Sequence, residues 1–360
     1  MIRRLGRLGR FPERKIFSLV LKNLPNLRNL RIVVLVEMLG PKLPPDTDAI
    51  IDRVLASDLS GVVGDDTGWA ASGDVQIWYE RISPKGEAKG CILLLMGMGG
   101  DGLMWPPPFL RALVGAGYQV IRYDHRGTGM SDWMKEWSSK QPYTLANMAG
   151  DAIAVLDALQ VSQAHLIGLS MGGMIAQEVA IQSPRRVASL TLMMTSGYIG
   201  DPDLPQPSSR YFLDNLITGL PLLKYRLRGG ERNLIKERIA KQVAVFGYEG
   251  LDEQALAEVV AYDARHRRGI NVRALWQHLT AINRAGSRHE RLRTLSVPAL
   301  VIHGTRDALI PVEHAKKLVA TIPNARGLWL EGVGHVFPLS NMDAFLRLLW
   351  TNLETRAGAL

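Results

Sequence analysis

Short apolar segments alternate with longer amphipathic segments from about residue 62 onwards. Val75–Ile82 alternates between apolar and polar positions, as a half-buried strand does, and Cys91–Met96 is a continuous apolar run typical of a strand covered on both faces. Helical patterns such as Leu145–Leu159 and Met171–Gln182 lie between these segments. The other predicted strands are Tyr118–Tyr123, Ala164–Leu169, Val187–Met194, Pro298–Gly304 and Gly327–Leu330. This order predicts an α/β fold with a mainly parallel central sheet and helices on both of its faces.

One long segment interrupts the alternation. Between the strands that end at Met194 and begin at Pro298, roughly a hundred residues contain no good strand pattern. The helical windows in this segment are Arg210–Leu223, Arg232–Val245, Asp252–Arg265 and Asn271–Ala285. We interpret residues 198–288 as a helical cap inserted between two late strands, with residues 62–197 and 289–360 forming the core. Such an insertion would lie over the carboxyl ends of the strands, where open α/β sheets bind their ligands.

The residues before 62 have a different composition. Residues 1–42 contain ten basic and two acidic side chains, whereas the rest of the chain carries a net charge of only +1. Pro12 and Pro25 stand where first helical positions would be, so residues 1–61 are predicted to form a basic helical extension. The 1–42 segment would pack on the body or on a second copy, giving a homodimer, or would lie on an anionic membrane surface. Nucleic-acid binding is not expected, because the segment has no aromatic stacking pattern or known binding module.

Composition excludes several classes of protein. Apolar residues make up 47% and charged residues 21% of the chain, which argues against a disordered protein or a coiled coil. The chain has no uninterrupted apolar stretch of about 18 residues, and the run Ile16–Leu21 is too short for a secretory signal. With Cys91 as the single cysteine and no histidine pair at metal-ligand spacing, neither a disulfide nor a metal site is expected. We expect a cytoplasmic location, with the basic N-terminal segment as a means of membrane association.

The sequence Gly168-Leu169-Ser170-Met171-Gly172 joins a predicted strand to a predicted helix. A serine on such a tight turn is lifted clear of the sheet, and small residues are needed on both sides because a Cβ would clash there. The helix N-terminus behind the serine also favours negative charge that develops near it. Ser170 is therefore the candidate nucleophile.

A serine hydroxyl is a poor nucleophile at neutral pH, so it needs a base, and the base needs an acid that orients it. Asp307 and His335 each follow a late predicted strand, which places both at the same sheet edge as the serine turn. Asp101 and Asp124 are rival acids, and Asp307 has the alternative role of capping the next helix. We favour Asp307, because the turn after the strand at 187–194 offers no carboxylate.

Residues 62–355 resemble the α/β-hydrolase superfamily, and in detail the capped esterases related to aclacinomycin methylesterase. Besides the serine turn, the matching segments are Met96-Gly97-Met98-Gly99, Asp124–Ser131, Val301–Asp307 and Gly334-His335. The resemblance implies that Ser170 is the nucleophile, His335 the base and Asp307 the acid that orients it. It also implies an oxyanion hole formed by the backbone N–H groups of Met98 and Met171.

The substrate pocket is predicted to include Gly97, Gly99, Trp105 and Met174, because flexible thioethers and an aromatic ring suit an adaptable apolar site. The predicted function is a carboxylic ester hydrolase of the esterase or lipase kind. It would act on a small-molecule ester with an apolar acyl group, through a Ser-His-Asp triad and an acyl-enzyme, without a cofactor. The same fold also serves non-hydrolytic ligand receptors and cofactor-free oxidative enzymes, so these remain alternatives.

A dinucleotide-binding interpretation competes for the loop at residues 97–102, which also fits the pattern G-x-G-x-x-G. Asp124 lies 22 residues after Gly102, at the distance expected of a ribose-binding acid. However, Trp105-Pro106-Pro107-Pro108 stands where that fingerprint needs helical N–H groups, and proline has none. We therefore do not expect NAD to bind this loop.

Overall fold

The computed structural model describes residues 41–64, 66–208, 219–246, 251–337 and 342–354. The helices predicted within residues 1–42, and residues 210–218 of the first predicted cap helix, lie outside the described residues. The membrane-anchor and homodimer interpretations of the N-terminal segment therefore stay predictions. No helix in the described part of the chain has both the length and the apolar composition needed to cross a membrane.

Eight strands form one sheet in the order β1-β2-β4-β3-β5-β6-β7-β8. The strands are β1 (Thr67–Ser72), β2 (Val75–Ile82), β3 (Cys91–Leu95), β4 (Gln119–Tyr123), β5 (Ala164–Leu169), β6 (Val187–Met193), β7 (Ala299–Gly304) and β8 (Arg326–Leu330). The pairs β1–β2 and β2–β4 are antiparallel, and the five other neighbouring pairs are parallel. The predicted mainly parallel α/β sheet is confirmed.

Strand β1 was not predicted from the sequence pattern. Its residues are mostly small, Ala70 is its one buried residue, and Trp69 is largely exposed. A strand at the edge of a sheet that buries so little apolar surface has no apolar alternation to detect.

The helices bury both faces of the sheet. They are α1 (Thr47–Ala56), α2 (Pro107–Gly115), α3 (Leu145–Ala158), α4 (Met171–Gln182), α5 (Leu223–Arg228), α6 (Gly230–Phe246), α7 (Glu253–His266), α8 (Val272–Arg284), α9 (His289–Leu292), α10 (Val312–Thr321) and α11 (Met342–Glu354). In β3, Leu93 and Leu95 pack with residues of α3, α4 and α10, whereas Ile92 and Leu94 pack with residues of α2 and α11. Because successive strand residues face opposite sides, one fully apolar strand supplies two separate cores.

Helices α5 to α8 lie between β6 and β7 in the chain, within the predicted cap. Helix α1 packs against this group: Ile51 and Val54 share a buried apolar cluster with residues of α6 and α7. The Thr47 hydroxyl donates a hydrogen bond of 2.9 Å to the Glu253 carboxylate at the start of α7. The last part of the predicted extension, residues 47–56, therefore contacts the cap directly.

Candidate active site

Ser170 lies between β5 and α4, on the turn that the sequence predicts. Its backbone has φ +55° and ψ −117°, a left-handed conformation that is strained for a residue with a side chain. The surrounding structure holds it there, because its N–H donates to Met193 O at 2.8 Å and its carbonyl accepts from the Thr195 hydroxyl at 2.7 Å. The strain directs the Ser170 side chain away from the sheet, as a nucleophile turn requires.

The glycines on both sides of Ser170 are required by close backbone contacts. A Cβ on Gly168 would lie 2.4 Å from Gly172 O, and a Cβ on Gly172 would lie 1.9 Å from Leu95 O. Any larger residue at either position would therefore force the start of α4 away from the sheet. The sequence-based explanation for the small residues of this turn agrees with these contacts.

His335 lies between Ser170 and Asp307. The His335 Nε2 atom is 3.0 Å from Ser170 Oγ, and its Nδ1 atom is 2.7 Å from Asp307 Oδ2. The three residues come from loops after β5, β7 and β8, which are brought together because parallel strands end at the same edge of the sheet. The structure thus brings together the three side chains selected from the sequence, although they are 28 to 165 positions apart.

Asp307 is buried and fully hydrogen-bonded. Its Oδ1 atom accepts the backbone N–H groups of Leu309 and Ile310 at 2.9 and 2.8 Å, and its Oδ2 atom contacts His303 Nε2 at 3.2 Å as well as His335. Burial opposes ionisation, but hydrogen bonds from His303 and His335 outweigh it and lower the pKa of Asp307 from 3.8 to about 2.

The low pKa of Asp307 fixes the tautomer of the neutral His335 ring. An ionised carboxylate can only accept hydrogen bonds, so the Nδ1 atom of His335 carries the proton and donates it. The Nε2 atom is then unprotonated and accepts the hydrogen bond from the Ser170 hydroxyl. This arrangement can take a proton from the serine without any rotation of the ring.

The loop formed by residues 96–100 passes directly beside Ser170. A Cβ on Gly97 would lie 3.6 Å from the Ser170 Cβ, which shows how closely the loop approaches the nucleophile. The backbone N–H groups of Met98 and Met171 have no hydrogen-bond acceptor among the described residues. Backbone N–H groups without an acceptor near a serine hydroxyl are the kind of donor that can stabilise an oxygen that becomes negatively charged during reaction.

A cavity of about 1150 Å³ lies between the cap and the sheet edge. Its wall includes Gly99 and His335 from the core, and Tyr225, Val260 and Ile270 from the cap region. The cavity exceeds the usual range of about 300–1000 Å³ for small-molecule pockets. A bulky ligand therefore fits beside His335.

The predicted pocket residues differ in their placement. Gly99 lies in the cavity wall and Gly97 lies against Ser170. Trp105 also belongs to the wall, but its side chain is fully buried and packs against Phe109 at a ring distance of 5.8 Å. Met174 is not among the residues that line this cavity, and its side chain is buried in an apolar core cluster, so its pocket role stays a prediction.

The pattern of the sequence could not show which residues of α4 belong to the core. Ten consecutive residues of this helix, from Met171 to Ala180, are buried, so apolar and small residues occur on every face. A helix without a polar face gives no periodic signal that would separate a pocket residue from a core residue.

Two cap residues contact the site loops, and no pattern in the sequence indicated either contact. His278 of α8 is fully buried and accepts a hydrogen bond of 3.0 Å from the Gly99 N–H. Arg267, just after α7, forms a close ion pair with Asp124 and lies over the Trp78 ring at 4.7 Å. Both contacts join residues more than 140 positions apart, which no local pattern predicts.

The glycine-rich loop does not have the geometry of a dinucleotide site. After Gly102 the chain forms a single turn of 3₁₀ helix, and α2 begins only at Pro107 with two prolines that lack N–H groups. Asp124 is fully buried and already bonded to Arg267 and to two backbone N–H groups, so its carboxylate is not available to a ribose. Among the described residues, no three side chains converge as metal ligands would.

Comparison with known proteins identifies the family to which this fold and this site belong. A family model described as the alpha/beta hydrolase fold matches residues 90–341. The rhodomycin D methylesterases of Streptomyces sp. strain C5 and Streptomyces peucetius are each 33% identical over 286 residues, covering 74% of this chain and 91% of theirs. The crystal structure of esterase RhEst1 from Rhodococcus sp. ECU1013 matches with a TM-score of 0.60 and 25% identity, covering 81% of this chain and 99% of that chain.

The chain therefore belongs to the α/β-hydrolase fold family. Within that family it is a hydrolase of the esterase kind, which confirms the resemblance drawn from the serine turn and the loops around it.

Proposed function

We propose that this enzyme hydrolyses carboxylic esters through Ser170, His335 and Asp307, by way of a covalent acyl-enzyme. The observation that supports this most directly is the continuous hydrogen-bonded series Ser170–His335–Asp307, with distances of 3.0 and 2.7 Å. A hydroxyl, an imidazole and an ionised carboxylate in that order form the arrangement that activates a serine for attack on an acyl carbon.

The reaction follows from the protonation states. The Ser170 Oγ atom attacks the ester carbonyl carbon while its proton passes to His335 Nε2, and the carboxylate of Asp307 stabilises the imidazolium that results. The imidazolium then gives this proton to the alkoxy oxygen, the carbon–oxygen bond breaks, and the alcohol leaves. A water molecule next attacks the acyl-enzyme as His335 takes its proton, and the acid is released with the serine hydroxyl restored.

The carbonyl oxygen becomes negatively charged in both tetrahedral intermediates. The Met98 and Met171 N–H groups would donate to it, each contributing about 3 kcal/mol of transition-state stabilisation. Their role rests on position, since both are backbone groups beside Ser170 and neither has an acceptor among the described residues.

The substrate class is an ester of a bulky, largely apolar molecule. Two relatives are named as methylesterases of rhodomycin D, and the cavity of about 1150 Å³ has room for more than a short acyl chain. The bulk of such a substrate would occupy the cavity that adjoins His335, beneath the cap.

The Ser170→Ala variant tests the proposal. We expect kcat for p-nitrophenyl butyrate to fall by a factor of about 10⁴–10⁶, because the nucleophile is lost while the fold is kept. A fluorophosphonate probe should label the wild-type enzyme on Ser170, as located by peptide mass spectrometry, and should not label the variant.

Ser183→Ala is a matched control, because Ser183 follows the same helix and its side chain forms no capping hydrogen bond. It should keep wild-type turnover and labelling. Full turnover by Ser170→Ala would disprove the covalent mechanism, and wild-type protein that binds esters without hydrolysing them would favour the ligand-receptor alternative.

A further inference from the structure

The cap helix α8 reaches the site loop through one buried side chain. The Nδ1 atom of His278 accepts a hydrogen bond from the Gly99 N–H at 3.0 Å, and its Nε2 atom lies 3.0 Å from Arg126 O. The ring is fully buried, with the rings of His125 and Tyr143 packed edge-on at 5.9 and 6.1 Å. His278 therefore bridges two core loops from within the cap.

The two partners determine the state of the His278 ring. The Gly99 amide can only donate and the Arg126 carbonyl can only accept, so Nδ1 is unprotonated and Nε2 carries the hydrogen. Burial lowers the pKa of His278 to about 3, which keeps the ring neutral at any ordinary assay pH. The Nδ1 atom of His278 can therefore accept the hydrogen bond from Gly99 at every ordinary assay pH.

A second residue of the same helix, Leu275, packs against Gly99. Gly99 has φ +70°, and a Cβ built there would lie 2.1 Å from the Leu275 Cδ2 atom. Leu275 and His278 are one helical turn apart, so both lie on the face of α8 that meets the loop. Helix α8 thus holds Gly99 by a hydrogen bond and leaves no room for a side chain at that position.

Met98 lies between two fixed glycines. Gly97 lies against Ser170 on one side, and Gly99 is held by α8 on the other. The Met98 N–H lies in the same rigid peptide plane as the Gly97 carbonyl, and that carbonyl accepts a hydrogen bond of 3.1 Å from the Gly100 N–H, next to Gly99. Displacing the Gly99 end would turn that donor away from the serine.

We propose that His278 is a positioning residue of the oxyanion hole: its hydrogen bond to Gly99 holds the Met98 N–H in place, so the cap completes the hole. The inference rests on the proposed function, because it assigns a part in the same reaction to a residue of the cap. It also gives the cap a role in the chemical step, besides covering the substrate.

The competing explanation is that His278 only fastens the cap to the core. Its neighbour Gln277 does fasten the cap, by donating a hydrogen bond of 3.0 Å to Met134 O, and it is also buried. Gln277 forms no hydrogen bond with residues 96–100. It is therefore a matched control for loss of a cap contact without loss of the loop contact.

Two substitutions separate the two hydrogen bonds of His278. In His278→Asn the amide oxygen can take the place of Nδ1, so the Gly99 bond is kept while the Arg126 bond is lost. In His278→Gln the longer amide reaches the place of Nε2, so the Arg126 bond is kept while the acceptor for Gly99 is lost. Both variants replace a ring with an amide, so their packing losses are similar.

We expect His278→Gln to lower kcat for p-nitrophenyl butyrate by about 10- to 100-fold with little change in KM, as misplacement of a transition-state donor does. The rate of labelling by the fluorophosphonate probe should fall in parallel, because its phosphoryl oxygen occupies the same hole. His278→Asn and Gln277→Met should stay within about threefold of wild type in both measurements.

Equal losses in the two His278 variants, or an equal loss in Gln277→Met, would overturn this inference while leaving the esterase proposal intact. A wild-type enzyme that the probe does not label would overturn the esterase proposal and this inference together. If His278→Gln does not fold by circular dichroism, Leu275→Ala replaces it. That variant loosens the same glycine, so kcat should fall several-fold at constant KM, and an unchanged kcat would overturn the inference.

Discussion

Asp124 and Asp307 are two buried carboxylates in almost the same setting. Asp124 follows β4, and its two oxygens accept the backbone N–H groups of Gly102 and Met130 at 2.9 and 2.7 Å. Asp307 follows β7 and likewise accepts two backbone N–H groups. They differ in the basic side chain that each faces: Asp124 faces Arg267 of the cap, whereas Asp307 faces the ring of His335.

The partner decides what each carboxylate can do. Arg267 keeps its charge at every working pH, so it can anchor a loop but cannot exchange a proton. An imidazole ring can both accept and donate a proton, so the ring of His335 suits proton transfer with the Ser170 hydroxyl. Burial and backbone hydrogen bonds alone do not distinguish the two acids.

The largest expected difference is in turnover. Asp307→Asn should lower kcat by about 10⁴-fold, because an amide in place of the carboxylate favours the wrong tautomer of His335. Asp124→Asn should change kcat by less than tenfold, since Asp124 contacts no reacting group. Steady-state kinetics on the two variants measures both effects. If Asp124→Asn lowered kcat more than Asp307→Asn, Asp124 and not Asp307 would be the acid of the site.

For stability at neutral pH, we expect Asp124→Asn to be the more damaging of the two substitutions. Asp124→Asn leaves the buried charge of Arg267 without its closest partner, which should lower the free energy of unfolding by about 3 kcal/mol. The loss is not larger because Asp101 and Asp263 remain at 3.6 and 3.8 Å from Arg267. Urea denaturation measures the change. A recovery of most of the lost stability in the double variant Asp124→Asn/Arg267→Met would confirm the cause, and its absence would contradict it.

The smallest expected effect is the contribution of Asp307 to stability, which depends on pH. Its pKa is about 2 in the folded protein against an ordinary value of 3.8, so the folded state favours the ionised form. That contribution to stability, about 2 kcal/mol, is fully present above about pH 4 and is lost as the pH falls toward 2. The difference in unfolding free energy between wild type and Asp307→Asn should shrink over this interval. A difference that stays constant from pH 5 to pH 2 would show that the carboxylate is not stabilised in this way.

The core of the site was predictable because its information is local. The turn at 168–172 carries its glycines, its nucleophile and its strand-to-helix change within five residues. Asp307 and His335 each follow an apolar strand, and parallel strands bring their carboxyl ends to one edge. For the same reason, β5 and α4 were predicted with the bounds that the structure shows.

The cap junction was not predictable, because its information lies in packing between distant segments. His278 lies on a helix with a strong apolar side, and a histidine there has no local pattern that separates a buried bridge from a surface residue. Its partner Gly99 is 179 positions away. Arg267 belongs to a cap segment that carries charges of both signs, yet its side chain is almost completely buried against Asp124.

Helix α1 precedes the region that resembles the hydrolases, and a minimal version of the enzyme would naturally be started at residue 62. That truncation would remove Ile51 and Val54 from the apolar cluster that they share with α6 and α7. Apolar side chains of the two cap helices would then be exposed to solvent. Shortened versions made for crystallisation or engineering should therefore retain everything from Thr47 onward.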